Sequence, residues 1–243
     1  MKQVFLTITE NIPLTENVFK MTLAGDVSAI TAPGQFINLK LDGFYLRRPI
    51  SVYDTAEGSV TIIYKVVGDG TEAMAKYENG KVLDVLIGLG NGFDTTLAGD
   101  KPVVIGGGVG VPPMYKLAKE LIKEGKKVTA ILGFNTESEI FAAEEFAKIG
   151  CDVKITTVDG SVGTKGFVTD AMDLDYTYTY CCGPEPMLKA VYNKSATSGQ
   201  YSFEERMGCG FGACMGCSCK TITGYKRICK EGPVMKKEEI LWG

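Results

Sequence analysis

Pro102-Val103-Val104-Ile105-Gly106-Gly107-Gly108-Val109-Gly110-Val111-Pro112-Pro113-Met114 reads as a strand, a glycine turn and the start of a helix. Pro102 to Ile105 is a short buried strand, and Met114, Leu117, Ala118, Leu121 and Ile122 then recur at helical spacing. Proline suits the first helical turn, where its missing N–H costs nothing. A strand joined to a helix this way aims backbone N–H groups at whatever sits on the turn, and a pyrophosphate fits there. Gly108 to Pro113 follows G-x-G-x-x-P rather than the Rossmann G-x-G-x-x-G, and many α/β turns are glycine-rich for tightness alone.

Downstream the alternation continues. Val128 to Leu132 is the next strand, Glu139 to Ile149 the next helix and Asp152 to Val158 a third strand. Thr177 to Cys181 is another strand, closed by Gly183-Pro184 and followed by a helix from Pro186 to Tyr192. This order predicts a doubly wound parallel sheet over residues 98–200. Ligands of such sheets bind at the carboxyl ends of the strands. The candidate nucleotide residues are therefore Gly107, Gly108, Val109 and Gly110, then Phe134 and Asn135, then Cys182, Gly183, Pro184 and Met187. A buried strand cysteine is the competing reading at this last site and fits Cys181 better than Cys182; Cys151 reads as core. The segment Gly133 to Glu139 carries two acids and no arginine for a 2′-phosphate, so NAD is favoured over NADP.

Upstream, residues 1–97 read as β structure. Thr7 to Leu23, Gln35 to Leu41, Ile50 to Tyr53, Ser59 to Val67 and Lys81 to Ile87 are rich in β-branched and aromatic residues. Turn signals such as Pro33-Gly34, Glu57-Gly58 and Asn79-Gly80 separate them. Closely spaced strands predict a small antiparallel barrel, with a short helix over Thr71 to Tyr77. Arg47-Arg48-Pro49-Ile50-Ser51 opens a barrel strand. An arginine there clamps a phosphate and the serine approaches a flavin; an edge-strand charge pair is the plain alternative.

From Tyr201 a cysteine-rich module begins, residues 201–243. Cys209, Cys214, Cys217 and Cys229 read C-x4-C-x2-C-x11-C, and the first three have plant-type [2Fe–2S] spacing. Small residues between them let backbone N–H groups turn toward sulfur. Zinc is the alternative, but four-cysteine zinc sites usually pair two C-x2-C knuckles and only Cys214/Cys217 forms one. Cys219 reads as the spare thiol, although by position it could replace a neighbour as ligand.

Composition narrows the function classes. The chain has 243 residues, 45% hydrophobic and 23% charged, with a net charge of −3 and scattered basic residues, which argues against nucleic acid. No apolar run could span a membrane and no secretory leader is evident, so a cytoplasmic protein is expected. Five of the eight cysteines fall between 209 and 229, which in a reducing compartment reads as metal binding rather than disulfides. The sequence has no histidine, which removes Rieske ligation, Cys/His zinc sites and Ser-His-Asp triads.

In order, these pieces resemble the ferredoxin–NADP reductase superfamily. Leu46 to Ser51, Ile63-Tyr64-Lys65 to Thr71, Gly106 to Pro113, Cys182 to Met187 and Glu204-Glu205-Arg206-Met207-Gly208-Cys209 to Cys217 resemble the electron-transfer subunits of class 1B dihydroorotate dehydrogenases over essentially the full length. The resemblance implies a non-covalent FAD: Arg48, Pro49, Ile50 and Ser51 bind its phosphate and ring, Ile63, Tyr64 and Lys65 line it, and Gly70 and Thr71 hold the pyrophosphate. It implies NAD on the glycine turn with Cys182 near the nicotinamide, and a [2Fe–2S] cluster on Cys209, Cys214, Cys217 and Cys229. It also implies an FMN-containing catalytic subunit in an α2β2 heterotetramer, with electrons from dihydroorotate crossing the cluster and FAD to NAD+. Similar subunits serve sulfide dehydrogenases, transhydrogenases and hydrogenases, which is the rival enzyme reading; a zinc-stabilised nucleotide-binding regulatory module is the non-enzyme one.

Overall fold

The structure is a computed structural model and describes residues 1–242. Six strands close an antiparallel barrel: β1 Lys2–Pro13, β2 Val18–Ala24, β3 Phe36–Leu39, β4 Arg48–Ala56, β5 Ser59–Lys65 and β6 Val82–Leu89. Their order is β1-β2-β5-β4-β3-β6, and a helix, α1 Asp69–Ala75, follows β5. Alternate residues point inward, so Leu6, Ile8, Met21, Leu23, Ile37, Leu39, Val52 and Ile62 fill the interior. The predicted run Thr7 to Leu23 is two strands. The N–H groups of Leu14 and Thr15 bond back to the Val18 carbonyl and close a hairpin.

The second sheet contains β7 Pro102–Gly107, β8 Thr129–Phe134, β9 Asp152–Thr157, β10 Thr164–Lys165, β11 Tyr178–Cys182 and β12 Gly199–Ser202. Helices α2 Val111–Lys123, α3 Ala143–Lys148 and α4 Glu185–Lys194 connect them. A hairpin, β13 Ser218–Thr221 and β14 Gly224–Arg227, precedes β15 Val234–Lys236, which pairs antiparallel with β12. The sheet order is β10-β9-β8-β7-β11-β12-β15, with every other pair parallel. The cysteine-rich segment thus returns to the sheet edge, and the expected 200/201 boundary falls inside β12. Helix α3 is shorter than the predicted Glu139 to Ile149. Ile140 is extended and Ala142 is left-handed at φ 60°, so the helix cannot start before Ala143.

The two faces of the sheet bury different partners. Val104, Ala130, Leu132 and Tyr180 pack with α2 and α3. Val103, Ile105, Ile131 and Cys181 pack with Leu188 and Val191 of α4, and with Cys217, Ile228 and Cys229. The barrel docks on the α2 side. Tyr53 and Tyr115 stack with ring centroids 4.4 Å apart, and Lys119 pairs with Asp54 at 2.6 Å.

Candidate functional site

A cleft of about 610 Å³ lies between sheet and barrel, a size suited to a nucleotide. Gly107, Gly108, Val109 and Gly110 line it with Phe134, Asn135, Gly183, Pro184 and Met187, all from the predicted nucleotide set. Asn17, Val18 and Lys65 of the barrel form the opposite wall. Glycine is required where the turn meets β11: a Cβ on Gly110 would overlap the Cys182 carbonyl and fall 2.6 Å from Gly183 Cα. Gly108 sits at φ +52°, in the left-handed region. At the end of β8 the Glu139 carboxylate accepts hydrogen bonds from the backbone and side-chain nitrogens of Asn135 (3.2 and 2.8 Å) and also lines the cleft.

Cys182 is placed differently from its neighbours. It is buried behind the cleft wall, and burial pushes its thiol up, with the Glu204 carboxylate adding to the effect and a hydrogen bond with Ser202 opposing it. Sequence reasoning assigned no chemistry to Glu204. It follows β12 at the same carboxyl end of the sheet, lines the cleft and is exposed to solvent, and the protein atoms around its carboxyl raise it above the usual range by desolvation. The short strand β12 was the missing signal, because its pairing of Ser202 with Cys182 carries Glu204 to the same end of the sheet as Gly183 and Pro184.

On the barrel, period-two alternation sorts the predicted flavin residues. Ile50 packs inward, and Tyr64 is wholly inside, its hydroxyl donating to Asn11 at 3.0 Å. Pro49 and Ser51 stand opposite Asn38 and Phe36 of β3, on the outer face. Ile63 packs outward against the nucleotide domain and Lys65 faces the cleft. Tyr64 therefore offers its backbone, not its ring, to anything bound outside. Of the two arginines, Arg47 is spent on structure, paired with Asp84 at 2.9 Å. Arg48 lies over the Phe44 ring and against Gly70, where a Cβ would overlap the guanidinium. The Thr71 hydroxyl is engaged within its own loop, accepting from Val67 N (2.9 Å) and Gly68 N and donating to the Gly68 carbonyl. An arginine laid on a glycine cradle beside an open barrel face fits a flavin phosphate.

The four predicted cluster ligands fall into two thiol pairs, Cys209 with Cys214 and Cys217 with Cys229, in the loop that touches β3. Cys209 Sγ accepts from the backbone N–H groups of Ala213 (3.2 Å), Phe211 and Cys214 (3.5 Å each). Burial opposes ionisation, but these donors outweigh it and hold the Cys209 thiol at about 6. The Cys214 thiol is its hydrogen-bonded neighbour. Cys229 N–H donates to Cys217 Sγ at 3.5 Å, and burial followed by the Cys217 thiol pushes Cys229 up to about 12. Among the described residues no three His, Cys, Asp or Glu side chains converge as a mononuclear site would need. Two thiol pairs suit a two-iron cluster, with Cys217/Cys229 buried and Cys209/Cys214 toward the surface. Cys219 points elsewhere, its sulfur 3.9 Å from Met235 Sδ. Arg227 braces the loop by donating to the Gly212 carbonyl (2.6 Å) while paired with Glu231, whose carboxyl this partner holds at about 2.

A flavin-type barrel, a nucleotide cleft and a thiolate nest in one chain define an iron–sulfur pyridine-nucleotide oxidoreductase of the ferredoxin-reductase fold. The pattern of the family described as "Oxidoreductase NAD-binding domain" matches residues 104–193, and that of the "Iron-sulfur cluster binding domain of dihydroorotate dehydrogenase B" matches 204–241. The chain is 43% identical to the dihydroorotate dehydrogenase B (NAD(+)) electron transfer subunit of Fusobacterium nucleatum over 96% of each chain, and 43% identical to that of a Geobacillus species over 99% of each. It belongs to that family. Among solved structures it is similar to one of the NADH-dependent reduced ferredoxin-NADP oxidoreductase (TM-score 0.89, 30% identity, 98% of this chain and 90% of that one). The Amycolatopsis cytochrome P450 reductase GcoB shares the fold alone, with TM-score 0.71 and 20% identity over 79% of this chain and 65% of that one.

Proposed function

We propose that this chain carries electrons from a separate dihydroorotate-oxidising subunit to NAD+, in pyrimidine biosynthesis. The observation that carries this reading is 43% identity across nearly the whole length to subunits of that name, in a chain that keeps the cleft, the flavin face and four paired thiols. Oxidation of dihydroorotate to orotate releases two electrons and two protons; NAD+ takes both electrons and one proton as a hydride, and the second proton goes to solvent. When bound, FAD exchanges hydride with the nicotinamide and single electrons with iron–sulfur, which spans the two kinds of chemistry.

The chain's own residues bind, orient and shield. Arg48, Pro49, Ile50, Ser51, Ile63, Tyr64, Lys65, Gly70 and Thr71 make the FAD site, with Arg48 on the phosphate and Pro49 and Ser51 along the ring. The glycine turn receives the NAD pyrophosphate, and the Glu139 carboxylate accepts from a ribose hydroxyl and repels a 2′-phosphate. Gly183, Pro184 and Met187 close the nicotinamide end, with the Cys182 thiol behind them keeping it dry. Cys209, Cys214, Cys217 and Cys229 hold the [2Fe–2S] cluster, with Cys219 outside the set. Phe211 and Met215 are exposed at the tip of the cluster loop, where a partner would cover them.

The relatives are named as electron transfer subunits, which supports placing the dihydroorotate site on another chain. We assign that partner FMN, and the assembly an α2β2 arrangement. Among the described residues no helix is long and apolar enough to cross a membrane, and a cytoplasmic site fits a thiol-rich chain. The 30% identity to an NADH-dependent reduced ferredoxin-NADP oxidoreductase favours a second reading, a reductase subunit of another complex. The higher identity to the dihydroorotate subunits ranks it second.

The test is an absorption spectrum before and after dithionite, then NAD+ reduction with dihydroorotate and the purified partner. Flavin and sulfur-to-iron charge-transfer bands, with turnover, support the proposal. A colourless protein holding one zinc would overturn it, and coloured protein without dihydroorotate turnover would shift the assignment to the second reading.

A further inference from the structure

Asn38 is a buried polar residue that the chemistry above does not use. It lies on β3, where alternation turns Ile37 and Leu39 into the barrel and leaves Phe36 and Asn38 on the outer face. On that face Asn38 stands directly opposite Pro49 of β4, and Phe36 stands opposite Ser51. Directly opposed residues of an antiparallel pair share a face with Cβ atoms about 5 Å apart. Asn38 is therefore beside the residues assigned to the flavin ring.

Its other neighbour is the cluster loop. Asn38 Nδ2 donates to the main-chain carbonyl of Cys209 at 3.3 Å. The next residue, Gly210, is at φ +76°, and a Cβ there would overlap Asn38 Nδ2, so the loop is pressed onto this amide. Arg47 fixes the strand from below by donating to the Asn38 main-chain carbonyl at 3.4 Å. Asn38 itself is 1% exposed, and its Oδ1 is buried with no hydrogen-bond partner. A buried amide oxygen without a donor is uncommon and calls for an explanation. Reversing the amide would set Oδ1 against the Cys209 carbonyl oxygen, so the orientation is fixed by the loop.

We propose that Asn38 is a positioning residue for electron transfer: it ties cluster ligand Cys209 to the flavin face of the barrel and so sets the approach of the cluster to FAD. The step it serves is a one-electron exchange, in which the flavin loses one electron and the cluster gains it, or the reverse. This inference rests on the FAD and cluster assignments made above. It adds that the link between them runs through one side chain of β3 rather than through general packing.

The experiment compares full-length, cofactor-loaded wild type with Asn38→Leu, which removes donor and acceptor, and Asn38→Asp, which keeps the size and removes the donor. Iron, sulfide and FAD contents are measured first. Stopped-flow mixing with NADH then separates the flavin-reduction phase from the cluster-reduction phase, and electron paramagnetic resonance records the reduced cluster. Both variants are expected to keep their cofactors and flavin phase, while the cluster phase slows severalfold, because electron transfer weakens steeply as two centres move apart. The reduced-cluster resonance should also broaden or shift. Unchanged cluster phases in the loaded variants would overturn the inference, as would an equal slowing of both phases. Should Asn38→Leu fail to fold, Asn38→Asp alone decides between these outcomes. Wild-type protein without flavin and iron would instead sink the functional proposal itself.

Discussion

The backbone N–H of Cys229 donates to the Cys217 sulfur at 3.5 Å, although eleven residues separate the two cysteines in the chain. Hairpin β13–β14 makes this possible. Ser218 pairs with Arg227, so the residues just after Cys217 and just before Cys229 run side by side. The long spacing is a hairpin's worth of chain, and it returns the fourth thiol to the third. Cys219, inside the hairpin, is carried away toward Met235.

This geometry separates two serine variants. Cys214→Ser should abolish the cluster's visible absorption and NAD-linked dihydroorotate turnover, while flavin reduction by NADH largely survives. Cys219→Ser should leave cluster absorption and turnover near wild type. Spectra and turnover of the two purified proteins give the answer; loss of the cluster in Cys219→Ser would mean that the hairpin thiol, not Cys229, is a ligand.

Cluster-free protein should show unequal thiols. Cys209 is held at about 6 by backbone N–H donors that outweigh its burial, whereas burial pushes Cys151 to about 12 and raises Cys181 further. The thiolate is the nucleophile, so brief treatment with iodoacetamide at pH 7 should label Cys209 ahead of Cys151 and Cys181. Peptide mass spectrometry reads the order directly. Equal labelling of Cys209 and Cys151 would show that the sulfur is not held by those donors.

Two glycines of one turn should respond differently to alanine. A Cβ on Gly110 meets backbone, the Cys182 carbonyl and Gly183 Cα, which cannot move without parting β7 from β11. A Cβ on Gly107 meets the end of the flexible Met187 side chain. Gly110→Ala should therefore cost about 1–3 kcal/mol of stability and raise the KM for NADH sharply. Gly107→Ala should cost less in both. Denaturant unfolding and steady-state kinetics of the pair check this, and equal losses would contradict the contact geometry.

Much of this was readable in the sequence because the signals are local. The glycine turn, the alternating strands and the cysteine spacing each follow from neighbours in the chain, and the barrel and parallel sheet came from them. What stayed hidden depends on partners distant in sequence. Gly199–Ser202 and Val234–Lys236 are too short to show a period, and become strands only by pairing with each other and with β11. Glu204 was illegible for the same reason, since its place at the cleft follows from β12. Tyr64, which the resemblance sets along the flavin, has its ring inside the barrel because alternation turns it inward, and a segment's sequence does not show which of its residues face out.

Acid should loosen the cluster loop through Glu231. Its carboxyl is held at about 2 chiefly by the hydrogen bond from Arg227, the residue that also binds the Gly212 carbonyl. The unfolded chain has a glutamate near about 4.3. Because the folded value is the lower one, the stabilisation is complete above the unfolded value and is lost as pH falls from about 4.3 toward 2. Arg227 and Glu231 are partly exposed, so screening keeps the effect modest. Thermal unfolding of wild type and Glu231→Gln across pH 2 to 7 isolates it. The wild-type advantage should be constant from about pH 5.5 upward and shrink steadily below pH 4, with iron release at low pH earlier in the variant. An advantage that stays constant down to pH 2 would mean that Glu231 is not braced as a carboxylate by Arg227, and that the loop is held by Asn38 and packing alone.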